Sequence, residues 1–206
     1  MKTIMSQPAR PYIRMNGAGN AFIVVQAFEA PFHPTQDQVR ALADPAAGLG
    51  GFDQLIGVEP SETADAFMRV WNADGSMVET CGNALRCVGW LLLEATDKEE
   101  VVIDTLGGPT TARRAAGRVG SGGSEGPTTA AVHEVTVDMG APRLDWTQVP
   151  LAEAMDTRGI ELQVGPIDAP VLHTPGAVSM GNPHVVFFTD RQDDGFVAGS
   201  GSLVER

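Results

Sequence analysis

Two cysteines six positions apart, Cys81 and Cys87, bracket the stretch of this 206-residue chain best suited to chemistry. Cys81 stands directly before Gly82-Asn83-Ala84-Leu85, where good helix formers begin, so its thiol is expected at the first turn of a helix. Unpaired backbone N–H groups and the positive end of the helix dipole meet it there, and both favour thiolate. An unperturbed thiol, with a pKa near 8.5, is only about 3% ionised at pH 7, and helix N-termini draw that pKa down. Cys81 is therefore placed to act as a base or nucleophile. Cys87, one and a half turns further in and facing apolar neighbours, reads as a structural cysteine. Helical rise alone separates the two by about 9 Å along the axis, too far for a disulfide, so free thiols in a reducing compartment are expected.

The elements that must position Cys81 can be read on either side of it. Tyr12 to Met15 and Phe22 to Val25 read as strands around the loop Asn16-Gly17-Ala18-Gly19-Asn20. That loop offers backbone N–H groups and short amides, or is simply a hairpin turn. Thr35 can cap a short helix with Val39, Leu42 and Ala43 on one face, ended by Pro45. Strands follow at Leu55 to Val58 and Ala66 to Trp71, and Asp74-Gly75 is a strong hairpin signal returning Met77 and Val78. From Gly82 to about Ala95, Leu85, Val88 and Leu92 share one face, while Trp90, Leu91 and Leu93 fill much of the rest. A helix apolar nearly all round is buried. Val101 to Thr105 and Thr110 to Arg113 then form a hairpin, giving an α+β fold of mostly antiparallel strands wrapped on one central helix.

Residues 117–129 are poor in apolar side chains and dense in Gly, Ser and Thr, which marks a linker and the expected boundary between domains at 12–129 and 130–206. Strands recur at Val132 to Met139, Glu161 to Val164, Val171 to Thr174, Ala177 to Met180 and His184 to Phe188, with a weak helical segment at Val197 to Val204. The second half thus reads as the start of another sheet.

Composition excludes several functions. A net charge of -12 leaves no basic cluster for nucleic acid. The longest apolar run, Val88 to Leu93, is too short to span a bilayer, and Met1 to Arg10 lacks the apolar core of a secretory signal, so a cytoplasmic protein is expected. Gly48-Leu49-Gly50-Gly51 is followed by no Gly-Lys-Ser/Thr, which rejects a P-loop, and two cysteines with His133, His173 and His184 make no zinc pattern. No metal or other cofactor is expected.

Met15 to Phe22, Asp53-Gln54-Leu55, Asn72-Ala73-Asp74-Gly75-Ser76, Cys81-Gly82-Asn83-Ala84-Leu85-Arg86-Cys87, Val137-Asp138-Met139-Gly140 and Gly181-Asn182-Pro183-His184 resemble, in order, the motifs of the diaminopimelate epimerase family. The resemblance implies two pseudo-symmetric domains and pyridoxal-independent inversion of one α-carbon of diaminopimelate, LL to meso, on the route to lysine and peptidoglycan. In that family two cysteines, one per domain, face opposite sides of the substrate as thiolate base and thiol acid. Cys81 matches the first. The resemblance further implies that Gly82 and Asn83 hold the substrate carboxylate by main-chain N–H groups. Asn20, Gln54, Asn72 and Asn182 would contact its polar ends, and His184 would tune the thiols. A homodimer is also implied.

The sequence departs from the family at Ala21, where an acidic residue is common, and at Asn16, where many members have His. The larger departure is the second catalytic cysteine, which has no counterpart; Gly199-Ser200-Gly201 and Glu205-Arg206 have similar letters in reversed order and no Cys. A C-terminally truncated copy with an incomplete second domain, inactive alone, is the expectation. A proline racemase-like or phenazine-enzyme-like relative, or a non-catalytic ligand-binding fragment, are the alternative readings.

Overall fold

In a computed structural model that describes residues 10–115, 134–191 and 193–204, the chain divides into two units, Met1–Met139 and Gly140–Arg206. The first unit begins with strands β1, Ile13–Gly17, and β2, Asn20–Gln26. Only Ala18 and Gly19 join them, at φ +49° and +95°. Two successive left-handed residues twist a hairpin in the same sense as its strands, so pairing extends further than the five-residue loop expected from sequence. Asn20 thereby becomes the first residue of β2.

Helix α1, Gln36–Ala43, starts where Thr35 caps it, with a reciprocal Thr35–Gln38 capping box. Strands β3, Gln54–Glu59, and β4, Ala66–Asn72, follow, then the short β5, Met77–Val78. Helix α2, Gly82–Thr96, is next, and β6, Glu100–Thr105, with β7, Gly108–Arg114, makes the hairpin expected after it. Strand β8, Val135–Asp138, pairs antiparallel with β7. The sequence reading assigns this strand to the second half; it is instead the last strand of the first unit's sheet. Its pattern of alternating Val135 and Val137, half-buried against the main core, is satisfied by α2. The expected linker 117–129 lies outside the described residues.

The sheet order is β1-β2-β3-β4-β6-β7-β8, with β5 on β4. Pairing is antiparallel except for β2 with β3 and β4 with β6. Helix α2 packs against β1 and β2 at one end of this order and β6, β7 and β8 at the other, so the sheet curls around it as a half-barrel. Period-two alternation sends Phe22 and Val24 to the α2 side, and Ile23 and Val25 to the opposite side with Val39 of α1 and Trp71.

In the second unit, β9, Gln163–Val164, pairs with β10, Leu172–His173, and β11, Gly176–Ser179, with β12, Pro183–Val186. Val149, Ile160 and Ala177 form a small core, and helix α3, Asp194–Val204, buries Phe196. Phe188 is 92% exposed and Ile167 85% exposed.

The fit of α2 in the half-barrel is tightest at Gly89, where an added Cβ would stand 2.5 Å from Ala112 Cβ. Gly89→Ala gains about 1 kcal/mol of helix propensity, but overpacking of such a contact costs about 1–3 kcal/mol. Urea denaturation is expected to show net destabilisation; a more stable variant would show that the helix and β7 can separate freely.

Candidate active site

The strand registers alone bring four separated segments to one end of the half-barrel. Parallel pairing of β2 with β3 sets Phe22 opposite Gln54, so both strands begin at the same end. Antiparallel pairing of β3 with β4 then sets Gln54 opposite Asn72, the last residue of β4. A turn with Gly75 at φ +83° reverses the chain into β5, and α2 begins four residues after β5 ends. An added Cβ at Gly75 would meet Gln36 of α1 at 2.4 Å, so this turn needs glycine for its conformation and for space.

Cys81 is the N-cap residue of α2, in extended conformation, and its side chain makes no capping hydrogen bond. The first helical bond is donated by Leu85 N to Cys81 O at 2.9 Å. The N–H groups of Gly82, Asn83 and Ala84 therefore have no carbonyl one turn earlier in the helix. Cys81 is half-buried and Cys87 fully buried, both as free thiols. Burial pushes the Cys87 thiol up to about 11, with the neighbouring Cys81 adding to the rise and Arg86 opposing it. Cys87 lies among the core side chains beneath α2, where an added Cβ on Gly17 would come within 2.8 Å of its Sγ.

Two hydrogen-bonded chains of amides surround the helix start. In the first, Arg86 Nη1 donates to Asn83 Oδ1 at 2.6 Å and Asn83 Nδ2 donates to Asn20 Oδ1 at 2.9 Å. Asn20 Nδ2 in turn donates to Asp53 Oδ2 at 3.2 Å, and the same oxygen accepts from Ala21 N at 2.8 Å. In the second, Gln54 Nε2 donates to Asn72 Oδ1 at 3.0 Å and Asn72 Nδ2 donates to Ser76 Oγ at 3.1 Å. Ser76 Oγ then donates to Asp74 Oδ1 at 2.6 Å. The Ser76 hydroxyl, and after it the Ser76 N–H, hold the Asp74 carboxyl below the usual carboxylate range. Gln54 Oε1 is left buried with no hydrogen-bond partner. A buried amide oxygen without a donor keeps unused acceptor capacity.

Of the residues singled out in the sequence, Asn20 and Asn83 are thus joined directly, as are Gln54 and Asn72, around the turn bearing Cys81 and Gly82. In the second unit, Asn182 and His184 form their own pair: His184 Nε2 and Asn182 Oδ1 lie 3.2 Å apart. Gly181, at φ +101°, makes the turn between β11 and β12 that allows it. Sequence reasoning missed Asp53 and Arg86 as parts of the site. Arg86 carried a signal, since it lies three residues after Asn83 on one helix face. Asp53 stood in one of the quoted motifs, but its partners, 32 and 33 residues away, were not legible from it. Among the described residues no group of three or more His, Cys, Asp or Glu is placed to hold a metal ion, and no helix is long and apolar enough to cross a membrane.

This architecture, a mixed half-barrel closed on a central helix, is the fold of solved epimerases and racemases. A predicted epimerase from Pseudomonas aeruginosa shares it with a TM-score of 0.53 at 13% identity, over 94% of this chain and 67% of that one. Residues 12–144 match the diaminopimelate epimerase family, and the chain belongs to it. The diaminopimelate epimerase of Caulobacter sp. (strain K31) is 48% identical over 96% of this chain, and that of Phenylobacterium zucineum (strain HLK1) 51% identical over 87%. The chain spans 66% of the length of the first and 58% of the second.

The burial of Cys87 has a pH signature. Its folded-state pKa is raised, so it stabilises the fold fully below the unfolded pKa of about 9, and the contribution is lost as pH rises through about 11. Stability measured by chemical denaturation is expected to fall between these values by up to about 2–3 kcal/mol, since one pKa unit is worth about 1.4 kcal/mol. Cys87→Ala is expected to flatten the decline, and an unchanged decline would assign it to other groups.

Proposed function

We propose that this chain supplies one half of the active site of a pyridoxal-independent epimerase that interconverts LL- and meso-diaminopimelate, on the route to lysine and peptidoglycan. The observation that carries the reading is Cys81 at the start of α2, beside three N–H groups left over by the helix. Cys81, as thiolate, takes the α-proton. The electron pair left on the α-carbon delocalises into the substrate carboxylate, which the N–H groups of Gly82 and Asn83 hold as its charge grows. A thiol on the opposite face returns a proton to that carbon, inverting it with no net change of oxidation state. Asn20, Gln54, Asn72 and Asn182 contact the substrate's polar ends, with the unpartnered Gln54 Oε1 suited to an ammonium group, and His184 tunes the thiols.

The opposing thiol has to come from outside these 206 residues, whose two cysteines are Cys81 and Cys87. Cys87 is only 4% exposed, and its raised pKa opposes ionisation. The 206-residue chain alone is therefore not expected to invert its substrate. The proposed compartment is the cytoplasm, where both thiols stay reduced.

The test is exchange of the α-proton of LL-diaminopimelate in D2O, followed by NMR with the full-length protein. Cys81→Ala is expected to slow exchange at least about a hundredfold, the scale of a lost acid/base group. Cys87→Ala removes packing and is expected to keep exchange within about tenfold. Undiminished exchange in Cys81→Ala would overturn the assignment.

A further inference from the structure

The amide chain at the start of α2 has a direction, and its two ends set that direction. A guanidinium only donates, so the Asn83 atom facing Arg86 must be the oxygen. A carboxylate only accepts, so the Asn20 atom facing Asp53 must be the nitrogen. The remaining link, Asn83 Nδ2 to Asn20 Oδ1 at 2.9 Å, agrees with both. Each amide nitrogen spends one hydrogen in the chain and keeps a second. The residues flanking the unpaired helix N–H groups are thus oriented to donate.

We infer that Asp53 is a positioning residue: it locks the Asn20 amide at one end of the chain while Arg86 locks Asn83 at the other, so that their spare N–H groups face an anionic group bound at the start of α2. This deepens the proposed carboxylate-holding role of Gly82 and Asn83 and rests on that reading. Asp53 touches no reacting atom in this scheme. Without its oxygen, Asn20 is held by the Asn83 bond alone, and its amide can turn away from the site and withdraw a donor. The lock needs an acceptor at that point rather than a charge. The same Asp53 oxygen accepts from Ala21 N at 2.8 Å, and a backbone N–H can only donate. In Asp53→Asn this bond would hold the side-chain oxygen in place, and the lock with it.

The sign of the effect separates positioning from electrostatics. Removing a negative charge from the amide chain would by itself make the start of α2 less repulsive to an anion and speed its reaction. Loss of positioned donors slows it.

The experiment measures alkylation of Cys81 in this chain by iodoacetate and by iodoacetamide, with mass spectrometry of the Cys81 peptide, and takes the rate ratio relative to a small free thiol. The wild-type ratio is expected to favour iodoacetate. Asp53→Ala and Asn20→Ala are each expected to lower it about three- to tenfold, the scale of a lost hydrogen bond to a charged group, while Asp53→Asn keeps or raises it. If Asp53→Ala fails to fold, as a thermal melt would show, Asn20→Ala and Asp53→Asn still decide. A ratio unchanged or raised in Asn20→Ala or Asp53→Ala overturns the proposal, as does a fall in Asp53→Asn as large as that in Asn20→Ala. A wild-type ratio no better than the free thiol's overturns it too. No diaminopimelate is present, so absence of epimerisation in the full-length protein together with a retained ratio would count against the substrate alone.

Discussion

The first unit depends on burying α2 inside a sheet that curls far enough for both ends of its strand order to touch the helix. Ala84, Leu85, Val88 and Leu93 are completely removed from solvent, which at about 25 cal/mol per Å2 supplies much of the driving force for the curl. The close approach needs small residues at the contacts, and Gly17 and Gly89 provide them. Once α2 is held by its sides and far end, its N-terminus can open onto the strand ends with its first N–H groups unpaired. A helix packed on one face only would not meet β1 and β2 on one side and β6, β7 and β8 on the other.

The site exploits this in two ways. It uses the helix start as a source of donors, and it surrounds that start with amides whose orientation is not left to chance. Amides are ambivalent, since either end can face a partner. The structure removes the ambivalence by ending each chain on a carboxylate, Asp53 in one and Asp74 in the other. The first chain then offers N–H groups, while the second leaves Gln54 Oε1 as an acceptor. The proposed substrate bears both carboxylate and ammonium groups, and donors and acceptors of this kind would suit it without lining the site with uncompensated charge.

The two cysteines illustrate how position on a single helix decides chemistry. Cys81 caps the helix and is half-buried; Cys87 points into the core, where loss of water opposes ionisation. Their spacing already foretold the contrast, because six residues of helix cannot place both at the same end. It did not foretell that the Cys87 sulfur would leave no room for a side chain at position 17 of β1, 70 residues earlier in sequence.

What the sequence by itself determined is local or periodic. The capping box at Thr35, the Asp74-Gly75 turn, the apolar faces of α2 and the thiol at its start follow from residue types at short spacing, because side chains three or four residues apart on a helix, or two apart on a strand, share a face. The motifs likewise made the family legible. Only the tertiary structure decided that β8 completes the first unit's sheet and that Asp53 anchors Asn20. Strand partners and hydrogen-bond partners are chosen by which surfaces meet once α2 is buried, and no local pattern encodes a meeting between residues more than thirty positions apart.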